Sequence, residues 1–156
     1  MKTLTLTAIA VLAPLGALAA DTAPVVSDAF AISTNPRSGA VYMSIANPTA
    51  QTCTLQGAST EAAESASLHT HTEEAGVMKM SERPPIEIAA GGTHELARSG
   101  DHVMLMGLTA PLAVGDHVAL TLDFGDCGQV NVDVPVVPVT GGKSDAADHS
   151  HHHAHG

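Results

Sequence analysis

The sequence is poor in aromatic and basic residues, and both shortages restrict the ligands that the chain could bind. It has no Trp, one Tyr and two Phe, so it lacks the aromatic surfaces on which nucleobases stack. Six Lys and Arg stand against 16 Asp and Glu, which gives a formal net charge of −10. Such a chain repels nucleic acid and anionic lipid and favours cationic partners, including metal ions. We therefore set nucleic-acid binding aside.

Long apolar runs are also missing, except at the N-terminus. Residues 1–20 combine an early Lys2, a short apolar run and small residues at the end, which is the layout of a secretory signal peptide. The run contains Pro14 and Gly16 and is shorter than the roughly 20 residues of a transmembrane helix. The alternative is an uncleaved membrane anchor. The sequence therefore predicts an exported protein with no membrane span in its mature chain.

Cysteine is scarce, since the chain has only Cys53 and Cys127, far apart in the sequence. In an oxidising compartment such a pair forms a disulfide, which by the loop-entropy model is worth on the order of 4 kcal/mol. Two free thiols are the alternative. A thiolate metal site is a third interpretation, but neither Cys has a His or Met close by, as a blue-copper site would require.

The chain does contain many short segments of β-forming residues, separated by Pro, Gly, Asn and Asp. These segments are residues 28–34, 39–47, 52–59, 65–72, 76–82, 85–89, 93–97, 102–108, 116–124 and 128–136. Short strands with turn residues between them are typical of antiparallel sandwiches and barrels. We predict an all-β antiparallel sandwich over residues 21–139. Only residues 59–67 favour a helical turn.

The composition changes at the C-terminus, where residues 140–156 have almost no large apolar side chain. This segment cannot order itself by burial, which predicts a disordered, His-rich tail. The tail contains half of the ten histidines, namely His149, His151, His152, His153 and His155. Such tracts bind metals through neutral imidazoles. A cloning tag is the alternative interpretation, but Ser and Ala interrupt this run.

In three of the predicted strands, His or Met occupies alternate positions and so shares one face of the strand. The residues are His69 and His71, then Met78 and Met80, then His102, Met104 and Met106. A hairpin loop predicted at TEEAG would bring the first two pairs together. Any single Met could instead fill a core gap, as we expect of Met43. His94 and His117 stand alone and are predicted to be surface residues.

Imidazole and thioether together favour one metal. Thioether is a soft, neutral ligand that suits Cu(I), and imidazole accepts either oxidation state of copper as well as zinc. Structural zinc would be expected to recruit Cys, Asp or Glu beside His, and calcium would require oxygen ligands. Copper is therefore the metal that best matches the residues on these strands.

Four of these residues carry a resemblance to a known family. His69, Met80, His102 and Met104 follow the pattern H-x10-M-x21-H-x-M, which is similar to the signature of the periplasmic copper(A) chaperone (PCuAC) family. The segments GAVYMSIAN, GVMKM and HVMLMGL also resemble that family, and the similarity covers residues 25–137. The resemblance implies a periplasmic, cupredoxin-like or Ig-like β-sandwich that binds one Cu(I) through these four side chains and is not an enzyme.

The resemblance also implies a role in copper transport. Family members are implicated in delivering copper to the binuclear copper site of cytochrome c oxidase, so the expected partner is an oxidase subunit or another copper chaperone. Some members have a C-terminal extension that binds Cu(II), which is the role expected for the tail histidines. His71, Met78 and Met106 would then cover the site or help a passing ion. The alternatives are a copper buffer or resistance protein, a copper enzyme and an Ig-like adhesion module.

Overall fold

The computed structural model describes residues 22–140, in which the regular structure is almost entirely β-strand. The strands are β1 (Val25–Asn35), β2 (Ser38–Ala46), β3 (Cys53–Leu55), β4 (Gly57–Ser59), β5 (Ala63–Glu74), β6 (Val77–Glu82), β7 (Ile86–Ile88), β8 (Thr93–Leu96), β9 (His102–Leu108), β10 (His117–Asp123) and β11 (Gln129–Pro135). A 3-10 turn spans Gly125–Cys127. Within this part of the chain, no helix is long and apolar enough to cross a bilayer. The predicted signal peptide and the predicted tail from residue 141 onwards lie outside the described residues.

The strands form antiparallel sheets around one apolar core. The large sheet has the order β1-β2-β9-β5-β6, with β8 also paired to β2, and the second sheet has the order β11-β10-β4. Val41 and Leu105 from the large sheet and Leu120 and Leu122 from the second sheet are buried in the same cluster. This arrangement confirms the predicted all-β sandwich. Met43 is buried in the same core, as its sequence context predicts.

Two local predictions are wrong, and strand pairing explains both. The helical turn predicted at residues 59–67 is absent, because β5 begins at Ala63 and pairs with β9, placing Ser65 opposite Met106. Pairing across the sheet thus overrides the local helix preference of Glu and Ala. The single strand predicted at residues 52–59 is two strands, β3 and β4, which belong to different sheets. Gln56 lies between them, and its backbone N–H donates to the carbonyl of Asp123.

The two cysteines form a disulfide inside the core. Cys53 begins β3 and Cys127 ends the 3-10 turn, with their Cα atoms 5.7 Å apart. Both residues are buried. The disulfide confirms the first of the alternatives left open by the sequence, and it removes both sulfurs from consideration as thiolate ligands. Any metal site in the described chain must therefore use other side chains.

Strand β9 lies in the middle of the large sheet and divides its side chains between two environments. Val103 and Leu105 are fully buried in the core. The alternate residues His102, Met104 and Met106 lie on the opposite, outer face of the sheet. Their exposure increases along the strand, from buried His102 through half-buried Met104 to exposed Met106. The outer face of the large sheet is thus the face that carries the candidate ligands.

Candidate metal centre

The two histidines of the four-residue signature lie directly opposite each other. His69 of β5 is the register partner of His102 of β9. Their ring centroids are 6.1 Å apart, and the rings meet edge to face. Directly paired residues on antiparallel strands hold their Cβ atoms about 5 Å apart on the same face of the sheet. The sheet therefore brings together two imidazoles that are 33 positions apart in the sequence.

The hydrogen bonding of His102 fixes which ring nitrogen is free. Its Nδ1 lies 3.1 Å from the carbonyl oxygen of Gly100, and a carbonyl can only accept, so Nδ1 carries the hydrogen. In the neutral ring the lone pair is then on Nε2. Burial lowers the pKa of His102, and the nearby rings of His71 and His69 add to this effect against the opposing influence of Gly100 and Asp101. The neutral ring is the form that binds a metal.

His69 presents a nitrogen that the protein leaves unsatisfied. Its Nδ1 is buried and has no hydrogen-bond partner, whereas Nε2 lies 3.4 Å from the hydroxyl of Ser67. Buried polar atoms are nearly always hydrogen-bonded, and an exception calls for an explanation such as an ion. The orphaned nitrogen of His69 and the acceptor nitrogen of His102 thus fit a site that receives a metal on this face.

The hairpin of β5 and β6 brings the first methionine to the same face. Met80 is the register partner of His71, and it lies diagonally across from His69, whose own partner is Glu82. The predicted TEEAG loop is shorter than expected, because only Ala75 and Gly76 lie between the strands. Both residues have positive φ, 52° and 77°, as in a two-residue type I′ turn. The hairpin therefore confirms that the His and Met pairs of these strands are neighbours.

Met104 lies between small residues that leave room around its thioether. Its register partners are Ala40 on β2 and Ser67 on β5. Met104 packs against the apolar cluster of Ile32, Ala40 and Tyr42 on this face. Met104 therefore lies one residue pair from His69 and His102 on the same face, with apolar side chains packed beside it.

The three accessory residues of the sequence prediction also lie on the outer face. The ring of His71 stacks on that of His102, with centroids 5.0 Å apart. Met106 is 47% exposed, one pair along β9 from Met104. Met78 is 56% exposed and lies opposite Glu73, closer to the hairpin turn than Met80. Among residues 22–140, no three His, Cys, Asp or Glu side chains form a group that could hold a metal, so a site at His69 and His102 would draw on thioethers.

One part of the site has no counterpart in the sequence prediction. Asp101, next to His102, accepts hydrogen bonds from Nε of Arg83 and from Nε2 of His94, both at 3.0 Å. Burial opposes the ionisation of Asp101, but hydrogen bonds from Thr70, Arg83 and His94 outweigh it and lower the pKa. His94, predicted to be a surface residue, is partly exposed and is held by this contact with Asp101. In the sequence, Asp101 is notable only because it precedes the candidate ligand His102. Its partners Arg83 and His94 come close to it only in the folded chain.

His117 is exposed, as predicted, and it pairs with Asp133 at 2.8 Å on the second sheet, away from the candidate ligands. The five predicted tail ligands are all outside residues 22–140. These are His149, His151, His152, His153 and His155.

The chain is also similar in sequence to known proteins. The model of the family described as "Putative lipoprotein LpqE-like" matches residues 24–136. The protein named "Putative lipoprotein Lxx21020" from Leifsonia xyli subsp. xyli is 38% identical over 103 residues, which cover 65% of this chain and 62% of that protein. The chain thus spans less than two thirds of the length of this curated relative.

Solved structures extend the comparison to three dimensions. The solution structure of apo-DR1885 from Deinococcus radiodurans is 36% identical with a TM-score of 0.57, and the alignment covers 92% of this chain and 99% of that one. Its CuI form is 40% identical with a TM-score of 0.56, over 72% and 78% of the two chains. The copper-bound PCuAC domain from PmoF2 has a TM-score of 0.61 over 74% and 92%, but at 20% identity it shows the fold alone.

The resemblance that the ligand spacing predicts is therefore confirmed on two independent grounds. The family model extends across almost the whole sandwich, from before β1 to the end of β11. The solved relatives share the sandwich itself. The chain belongs to the LpqE-like family, and its fold is that of the PCuAC domains.

Proposed function

We propose that this chain is an exported copper chaperone that binds one Cu(I) through His69, Met80, His102 and Met104. The observation that carries the proposal is the pair of facing imidazoles, each with a ring nitrogen that is not hydrogen-bonded by the protein, on the sheet face that also holds the thioethers. Packing and stability do not require such an arrangement, whereas a soft metal ion does.

The chemistry of the donor set supports copper as the cargo. Two neutral imidazoles and two neutral thioethers suit Cu(I), and they need no thiolate that would oxidise outside the cell. The two cysteines are already joined to each other. One solved relative, 40% identical to this chain, is the CuI form of a Deinococcus radiodurans protein, which supports the same metal for this chain.

The gradient of exposure across the ligands supports transfer rather than permanent storage. His102 is 1% exposed, whereas Met80 is 48% exposed on the edge strand β6. An acceptor that docks on this face would therefore displace the exposed thioether of Met80 first and the buried imidazole of His102 last. We propose that the acceptor supplies thiolates, as the binuclear copper site of cytochrome c oxidase does, or is another copper chaperone. The chain carries copper in the periplasm and does not catalyse a reaction.

Three neighbouring side chains assist this exchange. His71 stacks on His102 and faces Met80, so it covers the buried ring and offers a transient ligand between it and solvent. Met106 and Met78, both about half exposed, offer further thioethers at either end of the site. We propose that these three residues change the rate of copper exchange more than the affinity. The histidines of the C-terminal tail bind Cu(II) separately.

An anaerobic Cu(I) titration against a competing chelator tests the proposal. The background is the full chain with the five tail histidines replaced by Ala, so that the signal reports the sandwich alone. We expect Met80→Leu and Met104→Leu each to weaken Cu(I) binding by at least about tenfold, since removal of even an outer-sphere partner costs 10–100-fold. Met78→Leu and Met106→Leu are the matched controls and should bind within about threefold of the parent. Equal losses in all four variants would contradict the assigned ligand set.

A transfer assay separates a chaperone from a buffer. The Cu(I)-loaded chain is mixed with an apo copper protein whose site contains two thiolates, and the copper content of each partner is measured after separation. A chaperone transfers its copper faster than the same amount of Cu(I) dissociates into free chelator. If the two rates are equal, the chain is a copper-sequestering protein with no specific acceptor.

A further inference from the structure

The segment between β8 and β9 contacts two histidines of the outer face through one carbonyl group. The oxygen of Gly100 lies 3.1 Å from Nδ1 of His102, which donates to it, and it accepts a second hydrogen bond from the backbone N–H of His71 at 3.3 Å. The backbone N–H of Gly100 donates to the carbonyl of Ala97 at 3.0 Å, which closes a β-turn. The direction of one carbonyl thus decides which nitrogen of His102 is left for a metal.

Gly100 does not fix that direction by itself, because a Cβ at this position would meet open space and glycine has the greatest backbone freedom. The next residue, Asp101, is the one that is held. Its side chain is 13% exposed, and its carboxylate accepts hydrogen bonds from Nε of Arg83 and Nε2 of His94, both at 3.0 Å. We call Asp101, Arg83 and His94 the carboxylate clamp. The clamp fixes the chain directly beside the Gly100 carbonyl.

One arm of the clamp comes from the strand that carries Met80. Strand β6 is the outermost strand of the large sheet, all six of its residues are exposed, and β5 is its only partner in the part of the chain that the structure describes. An edge strand with so few buried contacts opens easily. The turn of Ala75 and Gly76 holds one end of β6, and Arg83 directly follows the other end. Arg83 thus joins the far end of β6 to the segment that precedes β9.

The backbone of Arg83 also marks where the pairing of β6 stops. Its N–H donates to the carbonyl of Leu68 at 2.8 Å, one pair beyond the last residue of β6, while its side chain binds Asp101. The next residues are Pro84 and Pro85, which have no N–H to continue the ladder. The pairing of β6 with β5 therefore ends at the same residue that holds Asp101.

We propose that Asp101 is a positioning residue of the copper site, which keeps the carbonyl of Gly100 on His102 and the end of β6 beside β9. This inference rests on the proposed core site and adds to it the groups that align its ligands. Metal-binding histidines are oriented by a hydrogen bond from their second ring nitrogen, and loss of such a partner weakens metal binding by about 10–100-fold. Here the partner is a main-chain carbonyl, which no substitution removes. The side chain that fixes the carbonyl therefore controls the ligand.

Anaerobic Cu(I) titration of Asp101 variants tests this role, in the same full chain with the five tail histidines replaced by Ala. We expect Asp101→Ala to weaken Cu(I) binding by at least about tenfold. Asp101→Asn should bind within about threefold of the parent, because its amide keeps an acceptor for Arg83 and offers a donor to the neutral ring of His94. Asp133→Ala is the control, since it removes a carboxylate that also binds a histidine, His117, but on the second sheet.

Two measurements on the metal-free chain separate positioning from a general loss of stability. Long-range 1H–15N NMR at pH 8 identifies the protonated nitrogen of a neutral imidazole. We expect Nδ1–H for His102 in the parent and a mixture of the two tautomers in Asp101→Ala. Arg83→Gln removes only the contact with β6, so His102 should keep Nδ1–H in that variant.

Hydrogen exchange of backbone amides measures the opening of β6 in Arg83→Gln. Since Arg83 and Leu68 are hydrogen-bonded, alternation along the antiparallel ladder makes Ser81 and Thr70 the next hydrogen-bonded pair. The Ser81 amide should therefore exchange faster in Arg83→Gln than in the parent. Amides of β10, on the second sheet, should exchange at the parent rate.

Four results would overturn the inference. Cu(I) binding by Asp101→Ala within about threefold of the parent would show that the clamp does not align the ligands. An equal loss in Asp101→Asn would mean that the negative charge matters and not the position. An equal loss in Asp133→Ala would mean that removal of any carboxylate has this effect. An unchanged Ser81 exchange rate in Arg83→Gln would remove β6 from the clamp.

Titration of the parent keeps this inference separable from the proposed function. Failure of the parent to bind Cu(I) would count against the core site itself. Tight binding by the parent, combined with equally tight binding by Asp101→Ala, would overturn only the role of Asp101.

Discussion

The two faces of the large sheet are built from the same strands but have different chemistry. On the core face of β9, Val103 and Leu105 have no exposed surface. On the outer face of the same seven-residue strand, exposure rises from 1% at His102 to 47% at Met106. The core face is apolar and closed. The outer face of β9 holds an imidazole and two thioethers whose exposure to solvent increases along the strand.

This difference separates the part of the sheet that stabilises the fold from the part that we propose binds copper. The core face gains stability from the removal of apolar surface from water. The outer face keeps an unsatisfied nitrogen on His69 and a half-exposed Met80, neither of which is favourable for folding alone. Departures of this kind from local rules are expected at functional sites.

Removal of a core-face side chain should give the largest effect on stability. Leu105→Ala should lower the free energy of unfolding by about 2–5 kcal/mol, because it deletes buried methyl groups and leaves a cavity. Chemical denaturation of the metal-free protein measures this change. The Cu(I) affinity of the folded fraction should stay close to that of the parent. A large loss of affinity without a loss of stability would contradict the division between the faces.

An exchange of methionine for leucine on each face should have opposite consequences. Met104→Leu and Met43→Leu both keep the side-chain volume, so each should cost less than about 1.5 kcal/mol of stability. Met104→Leu removes a ligand and should weaken Cu(I) binding by at least about tenfold, on the reasoning given for the titration. Met43 is buried in the core, so Met43→Leu should leave the affinity unchanged. Similar affinities for the two variants would remove Met104 from the site.

The buried imidazole should make the stability of the metal-free protein sensitive to pH. The pKa of His102 is lowered from its ordinary value of 6.5, chiefly by burial, with contributions from His71 and His69 opposed by Gly100 and Asp101. The unfolded chain therefore takes up a proton before folded His102 does. The contribution of His102 to the free energy of unfolding is fully present above pH 6.5. It is lost as the pH falls through the lower pKa that His102 has in the folded chain.

The melting temperature of the metal-free chain between pH 8 and pH 5 measures this effect. The decrease below pH 6.5 should be smaller in His102→Gln than in the parent. His117→Gln is the control, because its ring is 56% exposed on the second sheet. An unchanged pH profile in His102→Gln would show that other groups cause the decrease.

The smallest effect is expected at the turn that positions Met80. Ala75 has a φ of 52°, which is unfavourable for Ala, whereas Asn-Gly is the preferred pair for a type I′ turn. Ala75→Asn should raise the free energy of unfolding by a few tenths of a kcal/mol up to about 1 kcal/mol. Chemical denaturation measures this gain, and Thr72→Asn in the neighbouring strand is the control. A loss of stability in Ala75→Asn would contradict the two-residue turn.

Much of the architecture follows from alternation in the sequence. The period of two assigns Val103 and Leu105 to one face and His102 and Met104 to the other, as the structure confirms. Turn residues mark most strand ends within a few positions. One exception is the segment at residues 59–67, where Glu and Ala favour a helix locally. There, pairing with a strand that lies more than 30 positions later in the chain decides the structure.

The pairing and register of the strands could not be predicted from the sequence in the same way. The spacing relates His69 to Met80, but the register places His71 opposite Met80 and His102 opposite His69. Register depends on all the strands of the sheet together, so it cannot be read from one segment. The same holds for Asp101 with its partners Arg83 and His94, and for Arg98 at Val139. Each of these contacts joins segments that only the folded sheet brings together.

X-ray absorption at the copper edge tests the central claim most directly. The sample is the Cu(I)-loaded full chain with its five tail histidines replaced by Ala, measured without oxygen. We predict a first coordination shell of two nitrogen and two sulfur atoms, which becomes two nitrogen and one sulfur in Met104→Leu. A shell of nitrogen and oxygen alone, or one that Met104→Leu leaves unchanged, would contradict the assignment of His69, Met80, His102 and Met104 as the copper site.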